Sequence, residues 1–205
     1  MANLAEQAMR LNRRARRVRA RRIARGGFAL LSDTVRLPDP VPLLSRMPVG
    51  GLLILRHDDA PGRAALARRL AVVCRARRLR LVIADDLGLA VALRAGLHLP
   101  EHRLRDPGAR MRLWHRRTGA VLTTAAHGRD ALVRAVAAGA DAALLSPVFA
   151  TASHPGAAPL GSLKFRLLVR GARLPVFALG GVSTATIRRL AGSGAAGVAT
   201  VSGLT

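Results

Sequence analysis

A regular alternation of short apolar runs with segments of helical periodicity constrains the fold more than any other feature of this sequence. The apolar runs have strand length, and their nearly continuous hydrophobicity is typical of strands buried on both faces of a parallel sheet. Such strands are predicted within residues 28–33, 51–56, 79–85, 96–99, 120–125, 141–149, 175–183 and 197–203. Eight strands that alternate with helices predict an α/β fold, a (β/α)₈ TIM barrel, with a doubly wound open sheet as the alternative.

Helices are predicted between these strands at 63–78, 87–95, 106–117, 129–138 and 162–171. A further helix-like segment spans 183–194, with Ser183 or Thr184 as its N-cap and Gly192 or Gly194 at its end. No helical pattern follows the eighth strand in this sequence, so we expect a barrel that lacks a final C-terminal helix.

Residues 1–26 form an arginine-rich segment ahead of a single predicted barrel domain at 27–205. Apolar residues recur in this segment at helical spacing, arginines fill the other faces, and Gly26-Gly27 ends the pattern. We expect a helix at 2–24 that covers the outer face of the eighth strand. The alternative is a basic arm that binds RNA or an anionic membrane surface.

The formal net charge is +23, because 34 lysines and arginines outnumber 11 aspartates and glutamates. Such a charge attracts phosphorylated metabolites, nucleic acid or anionic lipid. The chain has no tyrosine and one tryptophan on which single-stranded bases could stack, so small phosphorylated molecules are the expected partners and nucleic acid is not. No apolar run reaches the length of a membrane span. The single cysteine excludes an internal disulfide framework and favours a cytoplasmic protein, and the sequence is compatible with an oligomer.

Two predicted strands near the end of the chain run into small residues that suit an anion. Gly180-Gly181 follows the seventh strand, and Val201-Ser202 follows the eighth. Backbone N–H groups in such turns approach a phosphate closely, because no bulky side chain intervenes. In (β/α)₈ barrels the loops after strands seven and eight often hold a substrate phosphate.

Several stretches resemble the thiamine-phosphate synthase/TenI-type superfamily. The strongest are 141–161, 176–182 and 197–202, and fainter matches lie at Leu55-Arg56, Ile83-Ala84-Asp85, His98-Leu99 and His127. The resemblance implies a (β/α)₈ barrel and a transferase of thiamine biosynthesis. Its substrates would be thiazole phosphate and hydroxymethylpyrimidine diphosphate, joined with release of pyrophosphate, and its cofactor Mg²⁺.

The resemblance also implies a set of site residues. The catalytic residues that it implies are Arg56 for the diphosphate and Asp85 as a metal ligand, and the substrate-binding residues are Thr151, Ser153, Gly180, Gly181 and Ser202. Apart from the resemblance, His127 is a candidate catalytic acid or base, and His154 and Val201 are candidate substrate-binding residues.

Some positions depart from the pattern of the superfamily. Arg103 stands where the second metal-binding aspartate is expected, Asp58 where a diphosphate-binding lysine is expected, and His154 where another lysine is expected. Asp58, Asp59 or Asp86 could supply the missing carboxylate, or Arg103 and His154 could hold the anion directly. A non-catalytic or TenI-like relative that binds thiazole phosphate and has lost the metal site is therefore the alternative function.

Several of these residues have equally simple structural roles. Asp85 could cap the helix that begins at Leu87, Arg56 could pair with Asp58 or Asp85, and His127 could belong to a turn. His98 is expected in the core. His57, His102 and His115 are expected on the surface.

Overall fold

The eight predicted strands form a closed barrel. A computed structural model describes residues 3–14, 23, 26–58, 60–151, 156 and 158–203. All strand pairs are parallel and follow the order of the sequence, and the last strand pairs with the first. The predicted (β/α)₈ barrel is therefore confirmed, and the open-sheet alternative is wrong.

The strands are short and almost wholly buried, which explains why the sequence marks them as apolar runs. They are β1 Phe28–Leu31, β2 Leu52–Leu55, β3 Arg80–Ala84, β4 Gly96–Leu99, β5 Leu122–Ala126, β6 Ala142–Leu145, β7 Val176–Leu179 and β8 Gly197–Thr200.

Helices surround the barrel on its outer side. The α-helices are α1 Leu4–Arg14, α2 Arg63–Ala76, α3 Leu87–Leu93, α4 Ala109–Thr118, α5 Arg129–Ala137 and α6 Gly161–Gly171. In the described part of the chain, three short 3₁₀ helices lie at Val41–Arg46, Glu101–Leu104 and Ile187–Leu190. Within the described residues, no helix is long and apolar enough to cross a membrane.

The segment 183–194 differs from its prediction, because only Ile187–Leu190 is helical and the helix is 3₁₀. The Ser183 hydroxyl accepts a hydrogen bond from the Thr186 N–H (3.3 Å), and the Thr186 hydroxyl accepts one from the Ser183 N–H (2.9 Å). These local side-chain bonds compete with regular α-helical hydrogen bonds.

Helix α1 packs against β8 and β1. Leu4, Ala5 and Ala8 on this helix are buried, and a Cβ atom built on Gly203 would lie 2.5 Å from the Leu4 Cδ2 atom. The helix therefore covers the flank of the last strand, as the sequence predicts. The expected extension toward residue 24 falls mostly outside the described residues.

Replacing Leu4 by alanine measures how much the packing of α1 against the barrel contributes to the free energy of unfolding. We expect Leu4→Ala to lower the free energy of unfolding by about 2 to 4 kcal/mol, because the variant loses buried methyl groups and leaves a cavity. Leu163→Ala in α6 removes the same atoms from a residue that is 71% exposed, and should change stability by less than about 0.5 kcal/mol. Urea denaturation of both variants makes the comparison. Equal effects would contradict a stabilising role for α1.

Candidate active site

The predicted site residues that the structure describes follow the carboxyl ends of the barrel strands. Parallel strands of a closed barrel all end on the same rim, where TIM-barrel enzymes place their active sites. We call the part of the rim after β7 and β8 the glycine half; it contains Gly180, Gly181 and Val201-Ser202. We call the part after β2, β3 and β4 the arginine half; it contains Arg56, Asp85 and Arg103.

The turn after β7 requires glycine at both of its positions. Gly180 and Gly181 have φ angles of +89° and +64°, in the left-handed region that L-residues with side chains rarely adopt. A Cβ atom on Gly181 would lie 2.3 Å from the carbonyl oxygen of Ala150, and one on Gly180 would lie 2.9 Å from the Pro147 Cα atom. The turn therefore lies directly against the loop that follows β6.

Hydrogen bonds hold this turn against the loop that follows β6. The Val148 N–H donates to the Leu179 carbonyl (2.9 Å) and the Phe149 N–H to the Gly180 carbonyl (3.0 Å). The Thr186 hydroxyl donates to the Gly181 carbonyl (2.9 Å).

The carbonyl groups of this turn thus have partners, whereas its amides remain available. The N–H groups of Gly181 and Val182 donate to no acceptor in the described part of the chain. Backbone N–H groups arranged in this way can bind a phosphate.

The turn after β8 lies beside this one, because β7 and β8 are neighbours in the barrel. Val201 is buried and Ser202 is exposed. The Gly203 N–H donates to the Thr200 hydroxyl (2.9 Å), so the chain turns immediately after Ser202. The structure therefore brings the two predicted phosphate-binding turns to adjacent strand ends.

In the arginine half, Asp85 leaves β3 with a φ angle of +47°. Its N–H donates to the His98 carbonyl of β4 (2.9 Å), and its two carboxylate oxygens lie 3.1 and 3.3 Å from Arg103 Nε. Asp86, not Asp85, caps the helix that begins at Leu87, because its carboxylate accepts the Leu89 N–H (2.8 Å). The capping alternative for Asp85 is therefore wrong, and its carboxylate faces a cation.

The guanidinium of Arg56 makes no hydrogen bond or ion pair with a described residue, although its backbone N–H donates to the Ser32 hydroxyl (3.1 Å). The pairing with Asp58 or Asp85 that the sequence suggested is not formed. Asp58 lies 3.7 Å from Arg63 instead, and Arg63 also lies 3.9 Å from Asp86. Among the described residues no acidic side chain pairs with the positive charge of Arg56, an arrangement that suits an anionic ligand.

His98 lies inside the barrel, as expected for a core histidine. Its Nδ1 atom lies 2.9 Å from the Thr123 hydroxyl. Burial, and next the nearby charge of Arg56, lower the pKa of His98 to about 3. His98 is therefore neutral at physiological pH and cannot serve there as a proton donor from a charged state.

The other three histidines were expected on the surface, and the structure agrees with this only in part. His57 was expected on the surface, but it is only 5% exposed, and its carbonyl accepts the Ala60 N–H (3.4 Å), which folds the chain back after β2. His102 is exposed as expected. His115 is half-buried and lies 3.8 Å from Asp141, so its expected surface position is only partly correct.

His127 follows β5 and joins an ionic cluster that the sequence did not reveal. Its Nδ1 atom lies 2.7 Å from a carboxylate oxygen of Glu101, and its backbone N–H donates to the same oxygen (2.9 Å). The other oxygen of Glu101 accepts from Arg134 (3.0 Å). These contacts orient the ring on the rim and are compatible with either role suggested for His127. Because Glu101 and Arg134 lie on different elements, no sequence pattern links them.

The loop after β6 contains three of the predicted substrate-binding residues. Thr151 is half-buried on this loop. Ser153 and His154 lie outside the described residues. Arg189, which was not predicted, lies over the Phe149 ring at 4.7 Å and joins the loop to the helix Ile187–Leu190. Such a cation–π contact helps to hold the loop against the glycine half.

The described residues bring no group of three or more histidine, cysteine, aspartate or glutamate side chains into a metal-binding arrangement. A cavity of about 490 Å³ opens beside the Asp85–Arg103 pair, with Arg110 and Met111 among its lining residues. A larger groove of about 890 Å³ lies between α5 and α6, on the outer side of the barrel and away from the strand ends. None of the predicted site residues that the structure describes lines this groove.

Comparisons with known proteins agree with this geometry. A family model described as thiamine monophosphate synthase matches residues 45–204. The thiamine-phosphate synthase of Geobacillus kaustophilus is 32% identical over 165 residues, which cover 76% of this chain and 73% of the relative. That of Levilactobacillus brevis is 30% identical over 192 residues, covering 89% and 88%. The fold is similar to that of thiamine phosphate pyrophosphorylase from Pyrococcus furiosus, with a TM-score of 0.71, 20% identity and coverage of 89% and 87%.

Gly181→Ala tests whether the close packing of Gly181 against the Ala150 carbonyl is needed for phosphate binding. We expect it to weaken the binding of inorganic phosphate at least about tenfold, because the new methyl group displaces the turn and the N–H groups of Gly181 and Val182. Gly192→Ala is the matched control, since Gly192 has a similar φ of +71° but nothing within 4 Å of an added Cβ. Isothermal titration calorimetry measures both. Loss of binding in both variants would show that backbone strain, and not the contact at Gly181, weakens binding, and would contradict the prediction.

The buried His98 predicts a specific pH dependence of stability. Its pKa is about 3 in the folded chain against 6.5 ordinarily, so below pH 6.5 the unfolded chain takes up a proton that the folded chain does not. Stability is therefore full above pH 6.5 and falls toward pH 3, by up to about 1.4 kcal/mol per pH unit for one proton.

Replacing His98 by glutamine should remove this component of the pH dependence. We expect His98→Gln to have a shallower loss of unfolding free energy between about pH 6 and about pH 4.5, a range above most carboxyl pKa values. His102→Gln, at an exposed position, should keep the wild-type slope. Urea denaturation at each pH gives the slopes, and an unchanged slope in His98→Gln would contradict the assignment.

Proposed function

We propose that this chain, which belongs to the thiamine monophosphate synthase family, forms thiamine phosphate from thiazole phosphate and hydroxymethylpyrimidine diphosphate and releases pyrophosphate. The observation that supports the proposal is that two separate groups of hydrogen-bond donors lie on one barrel rim. The glycine half offers backbone N–H groups, and the arginine half offers guanidinium groups. A reaction between a monophosphate and a diphosphate requires two such groups at a short distance from each other.

The thiazole phosphate is assigned to the glycine half. The N–H groups of Gly181 and Val182, which donate to no described acceptor, support this assignment, as does the adjacent turn at Val201-Ser202. Thr151, Ser153 and His154 are proposed to contact the substrate from the loop after β6.

The diphosphate is assigned to the arginine half. Arg56 supports this assignment, because its guanidinium follows β2 on the rim and has no acidic partner among the described residues. A planar guanidinium can donate two parallel hydrogen bonds to a phosphate group and can stabilise the negative charge that develops on the departing pyrophosphate.

The proposed reaction is a substitution at the methylene group of the pyrimidine. The C–O bond to the diphosphate breaks, and pyrophosphate leaves with the electron pair of that bond. The ring nitrogen of the thiazole supplies the electron pair for the new N–C bond. This step removes no proton from the nitrogen, so it does not require His127 as a base, and the catalytic role of His127 stays a prediction.

The resemblance implies Mg²⁺, which when bound would neutralise charge on the diphosphate. The residues present in the arginine half do not fit this ion. Both oxygens of Asp85 contact Arg103, and the two other described acids after β2 and β3, Asp58 and Asp86, face Arg63. A divalent ion at Asp85 would have to displace a guanidinium and would then lie next to its positive charge.

The alternative function is a protein that binds thiazole phosphate without catalysis. The Asp85–Arg103 pair is the observation that favours it, because a carboxylate expected to bind metal is engaged by an arginine. The intact glycine half is compatible with both functions. The two functions therefore differ in the arginine half alone.

A condensation assay with both substrates distinguishes the two functions. We expect the wild-type chain to form thiamine phosphate, and Arg56→Ala to reduce kcat/KM by about a hundredfold or more, since it loses stabilisation of the leaving group. Arg68→Ala, on the exposed side of α2, removes the same charge and should have no such effect. No product from a wild-type chain that still binds thiazole phosphate would reject the synthase and favour the binding protein.

A further inference from the structure

The charge arrangement at Asp85 points to a diphosphate site that works without a metal ion. Each of the three described acids that follow β2 and β3 is within 4 Å of an arginine nitrogen: Asp85 with Arg103, and Asp58 and Asp86 with Arg63. A carboxylate that neutralises a guanidinium contributes little further attraction for Mg²⁺. The local charge therefore comes from side chains that are permanently protonated.

Arg103 keeps donors for a ligand after it has paired with Asp85. Only its Nε group contacts the carboxylate, and its two terminal NH₂ groups donate to no described residue. The side chain is 55% exposed, so these groups are accessible from solvent. A guanidinium that is fixed through Nε presents its remaining N–H groups as a planar fork, which matches the geometry of phosphate oxygens.

The order of the barrel brings this fork to the same rim region as Arg56. Arg56 follows β2, Asp85 follows β3, and Arg103 lies in the 3₁₀ helix directly after β4. These three strands are neighbours, with Leu55 paired to Ile83 and Ala84 to His98.

We propose that Arg103, held by Asp85, takes the place of the metal ion and binds the diphosphate together with Arg56. Asp85 is then a positioning residue rather than a metal ligand. This inference rests on the proposed assignment of the diphosphate to the arginine half. It predicts that the chain binds pyrophosphate equally well with and without Mg²⁺.

Calorimetric titration of the full chain with inorganic pyrophosphate tests the inference, once in EDTA and once in Mg²⁺ with allowance for the magnesium pyrophosphate that forms in solution. We expect the wild-type Kd to be the same in both conditions. Arg103→Asp should raise the Kd in EDTA by about tenfold or more, because a charged hydrogen-bond donor becomes an acid. Mg²⁺ should then restore binding, since the variant offers two carboxylates.

Arg105→Asp is the matched control, because it makes the same charge change at an exposed residue two positions along the chain. It should leave the Kd in EDTA close to the wild-type value. Two results would overturn the inference: wild-type binding that is lost in EDTA, or equal effects of Arg103→Asp and Arg105→Asp. Circular dichroism of each variant confirms that the barrel is folded, which the exposed position of both arginines favours.

This experiment separates the inference from the proposed function, because it measures binding and no turnover. If the chain binds pyrophosphate without metal but forms no thiamine phosphate, the proposed synthase function is wrong and the proposed diphosphate site stands. If the chain forms thiamine phosphate but requires Mg²⁺ to bind pyrophosphate, the synthase function stands and the proposed role of Arg103 is wrong.

Discussion

The barrel closes between β8 and β1 through a close approach of the two backbones. The Val198 N–H donates to the Gly27 carbonyl (2.9 Å), and a Cβ atom on Gly197 would lie 2.1 Å from that same oxygen. Only glycine permits this approach. Closure places the carboxyl ends of all eight strands on one rim, so that residues far apart in the sequence form a single site.

The two halves of this rim offer different groups to the anions that we propose they bind. The glycine half offers backbone N–H groups, whose positions are set by Gly181 and by hydrogen bonds to its neighbours. The arginine half offers side-chain charge, which is adjusted by nearby carboxylates such as Asp85. Substitution of side chains can therefore change the arginine half while the fold and the glycine half persist. The departures from the superfamily pattern at Asp58 and Arg103 lie in that half.

The sequence predicted the strands and the Gly180-Gly181 turn well, because their signals are local. A strand buried on both faces is an apolar run, and the Gly180-Gly181 turn follows one directly. The pairing of Asp85 with Arg103 was not predicted, since it depends on the positions of β3 and β4 in three dimensions. The burial of His57 and the 3₁₀ form of Ile187–Leu190 were missed because a local turn and local side-chain hydrogen bonds decide them.

We propose that guanidinium groups, and not a bound ion, hold the departing diphosphate on this rim. The test is the initial rate of thiamine phosphate formation by the wild-type chain, compared between a buffer with EDTA and one with saturating Mg²⁺. We expect equal rates in the two buffers. A chain that forms product only when Mg²⁺ is present would contradict this role of the guanidinium groups.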